Sequence, residues 1–208
     1  MLVELILKGG PVMIPIIFLS IVALALILER CLTLWKIRLN LSQFAQEVFL
    51  FLERGNLQKA LEHCETVRHP IGEIFKIGIL NRTLKREQVE KIMEREGEEQ
   101  VQYLERYLGA LMVIIGVEPM LGFLGTIVGL IRAFMSWERL GSNITVNILA
   151  GGIYEAMITT AAGLIVAIPY YIVYHLIVGR IKTHAQDMSY YGNELLDVLG
   201  RVREERTR

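Results

Sequence analysis

Two apolar segments of this chain, residues 120–134 and 151–171, constrain its fold more than any other feature of the sequence. With their flanks, each is long enough to cross a bilayer as a helix. Both are rich in Gly, Ala and Thr, whereas a lipid-facing surface is usually built from Leu and Ile. We therefore expect two membrane helices that line, or pack closely against, something other than lipid.

A third apolar block lies at residues 12–28. A hydrophobic content of 53% would also fit a soluble domain, but here the apolar residues are concentrated in three blocks and not spread with an amphipathic period. The pattern predicts an all-α, polytopic protein of the lipid bilayer with three transmembrane helices. The net charge is zero and the basic residues form no stripe, so we expect no nucleic-acid partner.

The orientation follows from the positive charges near the ends of the spans, which concentrate on the cytoplasmic side of a membrane. One side carries Arg30, Lys36, Arg38, Arg95, Arg106, Arg180 and Lys182, and the other carries Lys8 and Arg139. We predict a periplasmic amphipathic helix at 1–10, transmembrane helices at 11–34, 109–135 and 148–178, a cytoplasmic helical domain at 35–108, a periplasmic loop at 136–147 and a cytoplasmic C-terminal helix at 179–208. Because the charged run that starts at residue 87 enters the second apolar block with no breaker stronger than glycine, we also expect one continuous helix over residues 87–135, projecting into the cytoplasm.

Each small-residue helix has one smooth face that bears a hydroxyl group. At 100° per residue the second span aligns Gly122, Thr126, Gly129 and Ala133, with Gly125 beside them; the third aligns Gly152, Ala156, Thr160, Gly163 and Ala167, flanked by Thr159. Close helix packing explains such a stripe, and so does a pore lining. Thr126 lies nine residues before the outer end of its span, and Thr160 lies nine residues after the start of the GGI segment at Gly151, so both are expected about 14 Å deep, near mid-bilayer.

Two carboxylates lie inside the spans, where a charge is a functional hypothesis by default. For Glu155 an interhelix hydrogen bond or ion pair and a proton-path role both stay open. For Glu118 a snorkelling or mouth-lining carboxylate is favoured over a central proton carrier. Asp187 and Asp197 both follow the last span, so an aspartate at mid-membrane must come from another polypeptide. The first span has no small-residue stripe and is expected to face lipid.

The two membrane motifs resemble those of the ExbB/TolQ family of proton-channel subunits, relatives of the flagellar stator protein MotA. EPMLGFLGTIVG at 118–129 is similar to the family's P-x-x-G-L-L-G-T-V-x-G. GIYEA at 152–156, TAAG at 160–163 and AIP at 167–169 are similar to G-I-x-E-A-L, T-A-x-G and A-I-P. By position, Thr126 and Thr160 correspond to pore-facing threonines and Glu155 to the third-span glutamate. Glu118 departs from the small apolar residue that usually precedes the proline.

The residue patterns and the resemblance together give the chain's candidate residues two roles. To the proton pathway we assign Thr126, Thr160, Glu155, Thr159 and Glu118, and to helix packing Gly122, Gly125, Gly129, Gly152, Gly163, Pro119 and Pro169. The resemblance also implies a pentamer of three-span subunits around a dimer of ExbD/TolR-type partners, each supplying one membrane aspartate, and a TonB/TolA-type protein beyond them.

The implied function is a motor or channel subunit of the bacterial inner membrane that converts ion flow into mechanical work on the cell envelope. We expect no enzymatic activity and no cofactor or metal, only a translocated ion, with H⁺ favoured over Na⁺. A MotA-like or gliding-type motility stator and a small transporter are the alternatives. An intramembrane hydrolase is disfavoured because the chain has no G-x-S-x-G motif and neither its second nor its third span contains a serine; Ser136 comes just after the second span.

Overall fold

The chain folds into a series of α-helices. The computed structural model describes residues 8–141 and 146–207, and within these residues it contains seven helices and no strand. They are α1 (Met13–Lys36), α2 (Leu41–Glu53), α3 (Leu57–Thr66), α4 (Ile71–Leu80), α5 (Arg86–Glu105), α6 (Leu108–Leu140) and α7 (Val146–Thr207). Three helical stretches, in α1, α6 and α7, are long and apolar enough to cross a membrane. The all-α fold with three membrane helices is thus confirmed.

The helix that contains the second apolar block extends further than the sequence suggested. Residues 136–147 were expected to form a loop, but α6 continues through Leu140 and α7 begins at Val146. Gly141, with φ of 52°, ends α6 in a conformation that favours glycine. Residues 142–145, and most of the amphipathic helix expected at 1–10, lie outside the described residues.

The prediction of one continuous helix over residues 87–135 is wrong, because the helix is interrupted at residues 106 and 107. α5 ends at Glu105, and Tyr107 has φ of 67°, which no α-helix accommodates. The break deprives carbonyl groups in the last turn of α5 of their helical donors. Arg30, which is only 2% exposed, donates to the carbonyl oxygens of Tyr103 (3.0 Å) and Leu104 (3.2 Å). A cation at a helix C-terminus also compensates the helix dipole.

The chain divides into two compact units. The first, here called the membrane unit, contains the residues up to Glu29 together with Tyr107–Leu176. Within it α1 buries apolar side chains at three- and four-residue spacing and leaves others exposed: Met13, Ile16, Ala23 and Ile27 are buried, whereas Ile14, Phe18, Ile21, Leu24 and Leu28 are exposed. Tyr170 of α7 donates its hydroxyl to the carbonyl oxygen of Ser20 (3.1 Å), which ties α1 to α7.

The second unit, here called the helical unit, contains Arg30–Arg106 and the residues from Ile177 onward. Its core is formed by large apolar side chains of α2 to α5 and of the last part of α7, among them Phe44, Val48, Leu52, Phe75, Ile79, Met93, Leu195 and Leu196. The side-chain oxygens of Asn40 and Asn56 cap α2 and α3 by accepting from backbone N–H groups at 3.3 Å each. Gly55, with φ of 73°, makes the turn between these helices.

Candidate functional site

The small residues of α6 and α7 bring the two helix backbones into close contact. We call this contact the seam, and it is formed by Gly122, Gly125 and Gly129 of α6 and by Gly152, Ala156 and Gly163 of α7. A Cβ atom on Gly129 would lie 2.8 Å from the Gly152 carbonyl oxygen and 2.9 Å from the Ala156 nitrogen, and one on Gly163 would lie 2.6 Å from the Glu118 carbonyl oxygen. No side chain fits at such distances. The glycine stripes therefore pack α6 against α7 within one chain.

The two candidate pore threonines meet at this seam. The hydroxyl groups of Thr126 and Thr160 form a hydrogen bond with each other, and both side chains are partly exposed. Thr160 also lies 3.0 Å from the carbonyl oxygen of Gly122, and Thr126 lies 3.2 Å from that of Ala156. The structure thus brings Thr126 and Thr160 together, side by side on α6 and α7.

The threonine pair can change the direction of its hydrogen bonds. Each hydroxyl can donate its single proton either to the other hydroxyl oxygen or to a backbone carbonyl oxygen, that of Ala156 for Thr126 and that of Gly122 for Thr160. The pair therefore has more acceptors than protons. Either hydroxyl can therefore turn its proton to a carboxylate that comes near and use its lone pairs to accept from a carboxylic acid. Such a pair can bind an acid in both of its protonation states.

Thr159 has a different place from its neighbour. It is fully buried, its hydroxyl donates within its own helix to Glu155 (3.1 Å) or Ala156 (3.0 Å), and its side chain occupies the space that Gly125 leaves. A threonine satisfied in this way needs no further partner. We therefore place Thr159 in the helix interface, not in an exposed lining as the sequence suggested.

Glu155 forms an ion pair with Arg132 of α6. The carboxylate oxygen lies 2.5 Å from the guanidinium nitrogen, and the side chains are 18% and 48% exposed, respectively. Gly10, with φ of 70°, lies against this pair, because a Cβ atom there would be 1.9 Å from the same carboxylate oxygen. Of the two interpretations left open for Glu155, this geometry favours the ion pair, which neutralises a charge within a membrane helix.

Glu118 lies on the buried face of α6 and is 0% exposed. Neither of its carboxylate oxygens has a hydrogen-bond partner among the residues that the structure describes. The carboxylate thus does not snorkel to water, contrary to the favoured expectation, because the face that carries it also carries Ile115 and Gly122 and is covered. Of the two motif prolines, Pro119 is partly buried, whereas Pro169 is exposed.

Arg132 and Gly10 were missed by the sequence analysis. Arg132 interrupts an apolar run six residues after Thr126, and Glu155 precedes Thr160 by five. In antiparallel helices that align the two threonines, these offsets bring the arginine and the glutamate to one level, which is a usable signal for the pair. Gly10 carries no comparable signal, because its contact depends on how α1 packs. Within the described residues, no group of three or more His, Cys, Asp or Glu side chains could hold a metal ion.

Comparison with known proteins gives consistent matches. The family model of the MotA/TolQ/ExbB proton channel family matches residues 66–190. An ExbB-like biopolymer transport protein of Synechocystis is 35% identical over 195 residues, which are 91% of this chain and 75% of the relative. An ExbB homolog of Methanothermobacter thermautotrophicus is 35% identical over 86% of this chain and 63% of its own length. The Tol-Pal system protein TolQ of Haemophilus influenzae is 32% identical over 49% of this chain and 44% of its own length.

Proposed function

We propose that this chain, which belongs to the MotA/TolQ/ExbB proton channel family, forms the wall of a proton-driven channel in the bacterial inner membrane. Its task there is to convert ion flow into mechanical work on the cell envelope, as a channel subunit and not as an enzyme. The observation that carries this proposal is the partly exposed pair of Thr126 and Thr160 hydroxyl groups within apolar helices.

The wall needs an acid that this chain does not supply at the level of the threonine pair. Its only two aspartates follow the third span, and Glu155 is neutralised by Arg132. We assign the acid to an aspartate on a single-span partner of the ExbD/TolR type. An ionised aspartate is stabilised where hydroxyl groups donate to it, and a protonated one can leave that position. Each proton that crosses supplies about 2.3 kcal/mol per 100 mV of membrane potential.

The proposed assembly is a pentamer of this chain around a partner dimer, with the N-terminus periplasmic and the helical unit cytoplasmic. Large apolar side chains that stay exposed on α6 and α7 support further helix contacts or lipid contacts: Met120 is 71% exposed, Phe123 62% and Ile165 71%. The relatives named for ExbB and for TolQ support the same energy-converting role in either system. A TonB- or TolA-type protein is the proposed recipient of the work.

The experiment that tests this function removes one hydroxyl group without changing shape. Thr160→Val, in membrane vesicles that contain the full chain and its single-span partner, is expected to lower the proton flux by about tenfold or more, because a hydrogen bond to a charged group contributes about 1.5–3 kcal/mol. The flux is measured with a pH-sensitive dye after a membrane potential is imposed. Thr160→Ser keeps the hydroxyl and should retain most of the flux.

Thr159→Val provides a matched control, because the Thr159 hydroxyl is buried and, among the residues that the structure describes, bonds within its own helix. It removes an identical group one residue away and should leave the flux unchanged. If Thr160→Val conducts as well as Thr159→Val does, the threonine pair has no part in conduction and the proposed function loses its support.

A further inference from the structure

Glu118 is the buried ionisable group that the proposed channel function leaves unused. It lies on α6 two turns before Thr126, in the row of buried residues that continues with Gly122 and Gly125. The other carboxylate of the second and third spans, Glu155, has Arg132 as its counter-ion. Among the described residues, Glu118 has neither an ion pair nor a hydrogen bond at either carboxylate oxygen.

An ionised carboxylate in this position would be costly. Burying an unpaired charge costs far more than helix packing can offset, so such a group is normally neutralised by a proton. The carboxyl group is shielded from water within this chain, because the Glu118 side chain is 0% exposed and both of its carboxyl oxygens are buried. The closed seam is therefore compatible with the acid form of Glu118.

The adjacent proline provides an acceptor near this acid. Pro119 has no N–H group, so it cannot bond the carbonyl oxygen of Ile115, four residues earlier in the helix. Ile115 lies on the same buried face of α6 as Glu118. Its carbonyl oxygen thus lacks its usual helical donor one turn before Glu118, on the face that carries this acid, and it makes no hydrogen bond with the carboxyl group in this structure.

We propose that Glu118 is a second proton-binding site, which holds a proton as a carboxylic acid in the seam and releases it towards the cytoplasmic side of the channel. The release step rests on the proposed function; the protonated state does not. On release the carboxyl O–H bond breaks, its electron pair stays on Glu118, and the proton passes to water. A proton arriving from the side of the threonine pair restores the acid.

This site links proton occupancy to helix packing. The Gly122 carbonyl oxygen, which accepts from Thr160 at 3.0 Å, lies one turn from Glu118. When Glu118 ionises, the carboxylate has no donor in the closed seam, so water must enter between α6 and α7 to solvate it. Ionisation therefore loosens the seam near Gly163, and reprotonation closes it.

The protonated state is tested by infrared spectroscopy on the full chain in lipid nanodiscs at neutral pH. A buried carboxylic acid is expected to give a carbonyl band that shifts when the glutamates are ¹³C-labelled and is lost in Glu118→Gln, a substitution of nearly the same shape. Glu155→Gln is the control and should keep the band. If the wild-type chain has no such band, or loses it when Na⁺ is added, Glu118 is ionised or binds a cation, and the proposal is overturned.

The release step is tested by proton flux in vesicles with the single-span partner. Glu118→Gln should lower the flux and remove one step from its pH profile, whereas wild-type flux together with an unchanged profile would overturn the step. If the wild-type complex conducts and only Glu118→Gln is without effect, the channel function stands and this site does not. If no wild-type flux is seen, the channel function fails, while the infrared band still decides whether Glu118 holds a proton.

Discussion

The seam of the membrane unit and the core of the helical unit are both made by packed helices, and α7 contributes to both. In the seam and directly beside it the buried residues of α7 are small, namely Ala156, Thr159, Gly163 and Ala167. In the helical unit they are large, namely Met188, Leu195, Leu196, Val198 and Leu199. A single helix thus changes from small to large contact residues along its length.

The difference reflects the solvent in which each part folds. In water, burial of large apolar side chains drives packing, at about 25 cal/mol per Å² of apolar surface. In lipid that driving force is absent between helices, so close van der Waals contact of backbones replaces it, and glycine allows the closest contact. The two regions should consequently respond in opposite ways to the size of a side chain: the core to its loss and the seam to its addition.

The largest effect is expected where a large side chain is removed from the core. Phe75 is fully buried and lies against the rings of Phe44 and Phe49, with centroids 5.6 Å and 5.9 Å away. Phe75→Ala should lower the free energy of unfolding of the helical unit by about 3–5 kcal/mol. Pulse proteolysis of the full chain in detergent measures it. Leu50→Ala, at a site 49% exposed, is the control and should cost much less.

A smaller effect is expected where a side chain is added to the seam. Gly129→Ala places a methyl group within 3.0 Å of backbone and side-chain atoms of α7, and should cost about 1–3 kcal/mol in stability in detergent. Gly116→Ala on the same helix is the control, because a Cβ atom there meets nothing within 4 Å, and it should stabilise the helix by about 0.5–1 kcal/mol. Equal effects at the two sites would contradict the inference that the seam is too closely packed to accept an added side chain.

Much of this fold could be predicted from the sequence, because apolar block length and small-residue stripes are local signals. The break at Tyr107 could not, since its stabilisation involves Arg30, more than seventy residues away in sequence. At the site, the equal depth of Thr126 and Thr160 followed from helix geometry. The burial of Glu118 and Thr159 did not, because it depends on the angle at which α6 and α7 face each other, and that angle is set by the glycines as a group.

The two regions also differ in the polar pair that each contains. The threonine hydroxyls of the seam do not titrate, whereas the helical unit contains a pair of histidines, with His69 buried beside His184. The Nδ1 atom of His69 accepts from the backbone N–H of Ile71 at 3.1 Å, so its Nε2 atom carries the proton of the neutral ring. That nitrogen lies 3.1 Å from Nδ1 of His184, which must accept. Both contacts therefore need neutral imidazole rings.

Acidification should accordingly lower the unfolding free energy of the helical unit, by less than Phe75→Ala or Gly129→Ala lowers stability. Burial, with a further contribution from His184, lowers the pKa of His69 to about 4, below its ordinary value of 6.5. The unfolded chain then binds more protons than the folded one between these values, so stability is full above about pH 6.5 and falls as the pH decreases. By about pH 5 the loss due to His69 should reach about 1–2 kcal/mol. The test is His69→Asn, whose side-chain oxygen can still accept from the Ile71 N–H group. In this variant the difference in unfolding free energy between about pH 7.5 and pH 5 should shrink by the same amount. An unchanged difference would mean that His69 does not govern the acid response.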